Sequence, residues 1–377
     1  MTTTDCFNAS RRIRVSALRR AMTLVEVLVV ITILTMLAAV LLPALNSARE
    51  TGRANACQTN LRQIGAGLAT HATLHGKMCS GAFDWRYDGC VTEKGWVADL
   101  MAQGAPVGKM LCPSNPAKIC EVFNDLATMD ATVDDCVDRL GSPSETAPDG
   151  STISNPCRTI AGLAAGEARN EIIEKQIYNK HYNTNYVPSW FLVRSMVNLN
   201  DSGQIKTDKA TCPASLLSTH STQGPLDRAQ ADAAGMSNSF IPLMGCGAPN
   251  STLTVDIASL NNTPAVRTMT RGPVLKTTLQ APAPADGTSY GGAAGWWAIW
   301  NNTTLQDYRD FGPVHRGACN ILFADGSVRV VVDTNGDGLL NNGFTAASDG
   351  DGGFTSDTVE LSPDEFFSCW SLKAKSK

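Results

Sequence analysis

Charge, aromatic residues and histidine are all scarce in this sequence: charged residues are 18% of the 377, aromatics 6%, and there are 5 histidines. Beyond the first twenty residues the lysines and arginines form no cluster, which argues against a nucleic-acid-binding face, because holding phosphates needs concentrated positive charge. No C-x-x-C occurs, so a c-type haem attachment site and a multihaem wire are excluded, and the usual zinc-finger spacing is missing. No internal repeat and no heptad array is found, which sets aside solenoids and coiled coils. Low charge with many Gly, Asn, Ser and Thr fits an exported, loop-rich surface.

What is present is concentrated at the N-terminus. Arg11, Arg12, Arg14, Arg19 and Arg20 lead into Ala21-Met22-Thr23-Leu24-Val25-Glu26, and residues 27–42 are uncharged and apolar. As a helix, residues 22–42 would rise about 31 Å at about 1.5 Å per residue, enough for a hydrocarbon core of roughly 30 Å. Arginines on one flank place that flank in the cytoplasm and the rest of the chain outside. A secretory signal is cut after its apolar core and tolerates charge poorly there, so Glu26 at the start of the core predicts that the core is retained. A lone carboxylate at the hydrocarbon costs on the order of 3 kcal/mol, and a plain anchor gains nothing from it. A carboxylate kept in such a place calls for a counter-ion.

The junction resembles the class III leader of type IV prepilins and type II secretion pseudopilins. Thr23, Leu24, Val25 and Glu26 match that motif residue by residue, Pro43 falls where many pilins carry a proline, and Ala21 stands where the family usually has glycine. The resemblance implies cleavage between Ala21 and Met22 by a prepilin peptidase, N-methylation of Met22, and a processed chain whose fifth residue is Glu26. It also implies assembly through Leu24, Val25, Glu26 and Pro43, with Glu26 pairing with the Met22 amino group of a neighbouring subunit to set the register, the partners being other pilin or pseudopilin subunits, an inner-membrane assembly platform and its cytoplasmic ATPase. Residues 47–65, including Cys57-Gln58-Thr59-Asn60-Leu61-Arg62-Gln63-Ile64-Gly65, look like the segment after the anchor in a large bacterial subfamily of pilin-like proteins. That subfamily ends in a histidine, nine residues and Asp-Gly, matched here by His315, residues 316–324 and Asp325-Gly326. Cys112-Pro113-Ser114 resembles its short Cys-Pro-Ser element. The resemblance is firm at both ends and thin over residues 120–290.

Formal charge is 31 minus 35, or −4; removing residues 1–21 takes away five arginines and Asp5, leaving 26 minus 34, or −8. Twelve cysteines fall to eleven with the loss of Cys6: Cys57, Cys79, Cys90, Cys112, Cys120, Cys136, Cys157, Cys212, Cys246, Cys319 and Cys369. In an oxidising compartment these predict several disulfides, and the odd total leaves at least one thiol free or paired between subunits. Sequence leaves the pairing open. Without C-x-x-C the cysteines read as disulfide partners rather than metal ligands.

Leu61, Ile64 and Leu68 recur at helical spacing, with Arg49, Arg53 and Arg62 left for solvent, which predicts one helix from about 22 to 75. Pro43 removes a backbone hydrogen bond, so bending or loosening is expected there. Further helices are expected over 121–140 and 158–181, strands over 182–193 and 239–244, and breaks at 141–156, 245–264 and 277–295. Residues 320–324 and 328–332 are β-rich and flank Asp325-Gly326, a hairpin signal in which glycine takes a positive φ. His315 is accordingly expected beside the first strand as a hydrogen-bonding residue, its motif of unknown role.

Asp333-Thr334-Asn335-Gly336-Asp337-Gly338-Leu339 puts oxygen ligands at alternate positions with glycine at the sixth, as a calcium loop requires. Asp333, Asn335, Asp337 and Leu339 are the candidate ligands and calcium the candidate cofactor; by resemblance, major pseudopilins carry such a loop near the C-terminus. The twelfth position is Phe344 rather than glutamate, so a site would borrow Asp349, Asp351 or Asp357. His71 and His75 stand one turn apart as in zinc sites, but no glutamate beside them and no third ligand is evident, and a solvated helix end is expected. Gly287-Thr288-Ser289-Tyr290-Gly291 matches G-x-S-x-G, with Asp310 and His315 following in hydrolase order. The residues around it supply neither the strand before nor the helix after that a nucleophile elbow needs. No enzyme activity, no haem and no nucleotide is expected.

These readings predict an α+β, type IV pilin-like fold: a long N-terminal helix packed on an antiparallel β-sheet head with helical and loop insertions. The parts are a leader 1–21, a helix 22–76 with transmembrane portion 22–42, a head 77–312, and a C-terminal hairpin and Asp/Gly-rich loop 313–377. The expected function is that of a structural subunit of a type IV pilus-like filament. The subunit is held in the cytoplasmic membrane, leader inside and head outside, and then drawn into a periplasmic or cell-surface filament. A pseudopilin of a type II secretion system is one alternative, and a membrane-anchored surface binding or hydrolytic protein is another.

Overall fold

A helix of 52 residues, Leu24–His75, begins at the apolar run. The computed structural model describes residues 22–130, 135–283, 295–346 and 353–373. The helix start is closed by a capping box. The Thr23 N–H and hydroxyl both donate to Glu26 Oε2 at 2.8 and 2.9 Å, and the Glu26 N–H donates back to Thr23 Oγ1 at 3.2 Å. That exchange satisfies donors which a helix N-terminus otherwise leaves bare. Pro43 lies inside the helix and the helical run continues through it, so the expected interruption is confined to one missing hydrogen bond.

The chain divides into two units, residues 1–49 and 50–377. In the first, every described residue is exposed, including Leu24, Met36 and Val40 at 81, 76 and 72%. This is the one helix among the described residues long and apolar enough to cross a membrane.

In the second unit, Cys57, Leu61, Ile64, Gly65, Leu68 and Ala72 are buried while Arg53 and Arg62 stay exposed, as the spacing predicts. Gly65 permits a close approach: a Cβ there would lie 2.9 Å from Leu322 Cδ1. Leu322 belongs to a four-stranded antiparallel sheet ordered Val328–Val332, Ala318–Phe323, Pro242–Cys246, Tyr186–Pro188. The first two strands form the expected hairpin, with Gly326 at φ 82° and the Asp325 side chain accepting from the Ser327 N–H. A three-stranded sheet of Ile119–Cys120, Thr263–Val266 and Ser251–Leu253, and two two-stranded ones, complete the α+β head. Trp85, Trp96, Trp190 and Trp300 are fully buried in its core.

Four expectations for the middle of the chain need correction. Residues 121–140 hold only the helix Val122–Thr128 among those described; beyond it, Cys136 is tied to Cys212. Residues 158–181 split into Pro156–Ala161 and Glu167–Gln176, because Gly166 at φ 152° interrupts the run. The strand expected over 182–193 is only Tyr186–Pro188. After Pro188, Ser189 caps a helix, Trp190–Arg194, by accepting from the Leu192 N–H. The strand expected at 239–244 starts later, at Pro242, after a 3-10 turn Asn238–Phe240.

Candidate metal centre

Four buried side chains from four separate segments converge inside the second unit. Cys57 comes from the long helix, Cys112 from the turn after the 3-10 helix Val107–Lys109, Cys246 from the last position of Pro242–Cys246, and His315 from the turn before Ala318–Phe323. Their ligand atoms all lie within 4.8 Å of one another. Cys57 Sγ is 3.2 Å from Cys246 Sγ, and Cys112 Sγ is 3.9 Å from Cys246 Sγ. His315 Nε2 is 3.3 Å from Cys112 Sγ and 3.6 Å from Cys246 Sγ.

The surroundings hold each group in place. Asn185 grips the Cys112 turn from both sides, accepting from the Cys112 N–H at 2.7 Å and donating to the Cys112 and Ala117 carbonyls at 3.0 and 2.9 Å. Asn320, from the central sheet, donates to the Ala54 carbonyl and accepts from the Gln58 amide, fixing the helix turn that carries Cys57. Glu50 Oε1 lies 3.0 Å from His315 Nδ1 and accepts from the Ser114 hydroxyl at 2.6 Å. The Cys-Pro-Ser element and the His315 motif therefore meet: Cys112 supplies a sulfur, and Ser114 steadies the carboxylate that orients the imidazole.

The electrostatics are those of a thiolate–imidazolium cluster. Burial by itself pulls the His315 pKa down, but contacts with Cys112 and Cys57 outweigh it and push it up to about 11. Hydrogen bonds with Cys112 and Cys246 hold the Cys57 thiol far below its ordinary value, whereas burial pushes Cys246 well above. These contacts favour a Cys57 thiolate beside a charged His315 imidazole. Burial raises Glu50, yet Ser114 and His315 more than offset it and leave the carboxyl lowered.

The expectation that the cysteines act as disulfide partners holds for Cys90–Cys157 and Cys136–Cys212. Among the described residues Cys57, Cys79, Cys112, Cys120, Cys246, Cys319 and Cys369 are free. The lack of C-x-x-C does not keep Cys57, Cys112, Cys246 and His315 from meeting in a group that could hold a metal ion. Each pair of ligands for which a contact distance is known is separated by 69 to 203 residues, so no local spacing could announce them. Cys112 and His315 did stand in recognisable elements, but nothing in the sequence linked those elements to each other or to Cys57.

Among the described residues, no other candidate joins this cluster. Ala21 and the G-x-S-x-G stretch fall outside the described residues, as do Asp349 and Asp351. Met22, Leu24, Val25 and Pro43 are exposed along the helix, and Glu26 is engaged by Thr23. Asp310 takes the Asn250 amide at 2.6 Å and sits beside Arg267 and Arg271, while both His315 ring nitrogens are already occupied, so the two form no dyad. His71 is buried rather than solvated, with Nδ1 at 2.7 Å from the Lys77 carbonyl and Nε2 at 3.5 Å from Asp99. In the calcium-loop stretch, Asp333 accepts from the Gly336 and Gly338 N–H groups, and Asp337 from those of Leu339 and Thr355. Asn335 donates to Asp337, and Asp357 accepts from the Ala346 N–H.

Residues 46–106 and 192–338 match the family described as "Protein of unknown function (DUF1559)". The chain belongs to this family. DUF1559 is associated with type IV pilin-like proteins. The matched segments of this DUF1559 chain carry Glu50, Cys57, Cys246 and His315, and Cys112 and Ser114 fall between them. No curated protein and no solved structure matches it.

Proposed function

We propose that this DUF1559 chain is a structural subunit of a type IV pilus-like filament, processed by a prepilin peptidase and polymerised through its N-terminal helix. The observation that carries the reading is the uncovered apolar surface of residues 24–42, headed by a single carboxylate. Exposed apolar area is unfavourable by about 25 cal/mol per Å², so such a surface calls for a bilayer and then for copies of itself. Prepilin peptidase, assembly platform and ATPase are the partners this reading requires. A second reading, the pseudopilin of a type II secretion system, is supported by the loop at Asp333, whose carboxylate already gathers two backbone N–H groups as a calcium loop does. Calcium at Asp333, Asn335, Asp337 and Leu339 belongs with both.

The capping box gives Glu26 a role inside its own chain, so Glu26→Ala alone would mix two effects. Glu26→Gln retains a side chain that can cap the helix and removes the charge. Filament yield is expected to fall as far in Glu26→Gln as in Glu26→Ala, with cleavage intact in both. Normal yield from Glu26→Gln would remove the ion pair from the account. Intact-mass measurement tests processing directly: a start at Met22 carrying one added methyl supports it, and an unprocessed Met1 sinks it.

A further inference from the structure

We infer that Cys57, Cys112, Cys246 and His315 form a closed structural site for one zinc ion, which pins the long helix to the central sheet of the head. Four of the six ligand-atom separations are close to those that tetrahedral coordination demands, and all six lie within 4.8 Å. With about 2.3 Å to sulfur and about 2.0 Å to nitrogen, neighbouring ligand atoms around zinc stand roughly 3.5–3.8 Å apart. The observed separations of 3.2, 3.9, 3.3 and 3.6 Å bracket that value.

Three further observations point the same way. The His315 ring turns Nε2 to the sulfurs and Nδ1 to Glu50, the carboxylate–histidine–metal arrangement that fixes the tautomer of a ligating imidazole. The Tyr186 hydroxyl is buried without a hydrogen-bond partner, and Tyr186 stands directly opposite Cys246 in the sheet. A buried O–H donor left unpaired next to a ligand strand is suited to a thiolate that carries charge when metal-bound. The donor set itself, three soft sulfurs and one imidazole, selects zinc over calcium or magnesium.

Binding releases the proton of each cysteine that is still a thiol, and the His315 proton, to solvent. Three Zn–S bonds and one Zn–N bond form, with no change of oxidation state. Four protein ligands leave no position for water or substrate, so the ion cross-links and does not catalyse. One ligand is on the helix, one on the sheet and two are in turns, and their closure fixes the segment that follows the apolar half of the helix. This inference stands independently of filament formation.

The test is metal content of the full chain, purified in detergent without a polyhistidine tag or chelator. The expected result is about one zinc per chain by elemental analysis. Cobalt exchanged into the site is expected to show the absorption of tetrahedral sulfur-rich coordination. Chain without metal whose thiol titration shows Cys57 and Cys246 joined as a disulfide would overturn the inference; so would zinc retained in full by Cys112→Ser. Because Cys112→Ser can fail to fold, Glu50→Gln gives a second readout. It is expected to bind zinc at the same stoichiometry but 10–100-fold more weakly in competition with a chromophoric chelator, and unchanged affinity would refute Glu50 as the positioning residue.

Discussion

Asp84 shows how much one buried carboxylate can weigh. It is 5% exposed and accepts from the Tyr87 N–H and the Thr268 hydroxyl, yet burial and the neighbouring Asp88 raise its pKa to about 6. An exposed aspartate titrates near 3.9. Since the folded value is the higher one, the stabilising share of Asp84 is full below about pH 4 and is lost as pH rises through about 6. A gap of about two pH units corresponds to about 3 kcal/mol. Asp84→Asn is therefore expected to gain on the parent chain by up to that amount between pH 4 and 7, read by denaturant unfolding at each pH. A stability difference that stays constant across the range would show that Asp84 is ionised throughout. Cys79 and Cys120 are the contrasting residues: burial raises both thiols, which leaves them inert where Cys57 is activated.

Helix and hairpin elements are where local pattern and structure agree best. The hairpin of Ala318–Phe323 and Val328–Val332 was legible because its alternation and its Asp325-Gly326 turn are both local. The helix face at Leu61, Ile64 and Leu68 was legible for the same reason. Gly65 and Gly52 separate packing from propensity on that helix. A Cβ at Gly65 meets Leu322 at 2.9 Å, whereas at Gly52 nothing lies within 4 Å. Gly52→Ala is expected to stabilise by about 0.4–1 kcal/mol, because only chain entropy changes. Gly65→Val is expected to destabilise by about 1–3 kcal/mol through overpacking. Equal shifts in the thermal midpoints of the two variants would mean that the helix does not press on the sheet as described. Of the four elements misread from sequence, 121–140 and 182–193 are those where a disulfide or a Pro188–Ser189 cap overrides periodicity.

At the scale of the whole molecule, two classes of candidate cation ligand occupy different places. Sulfur and imidazole are gathered in the interior, and carboxylates with amides sit in the glycine-rich loop from Asp333. We propose that these respond to different chelators. A calcium-selective chelator is expected to increase protease cutting within 333–357 while any zinc held by Cys57, Cys112, Cys246 and His315 stays in place. Unchanged resistance in that stretch would argue against calcium there. Such a separation also distinguishes loosening of the loop from release of the helix.

The N-terminal arginines, the apolar run with Glu26 at its start, and the final hairpin follow from residues that are neighbours in the chain, so sequence alone determined them. The cluster of Cys57, Cys112, Cys246 and His315 did not follow, since Cys57 and Cys246 are 189 positions apart and Cys112 and His315 are 203 apart. Bringing them together requires the helix to seat on the sheet at Gly65, and the Cys112 turn to be held by Asn185. Those are long-range packing events, which only the tertiary structure decides, because contact between distant residues depends on how every intervening element is folded.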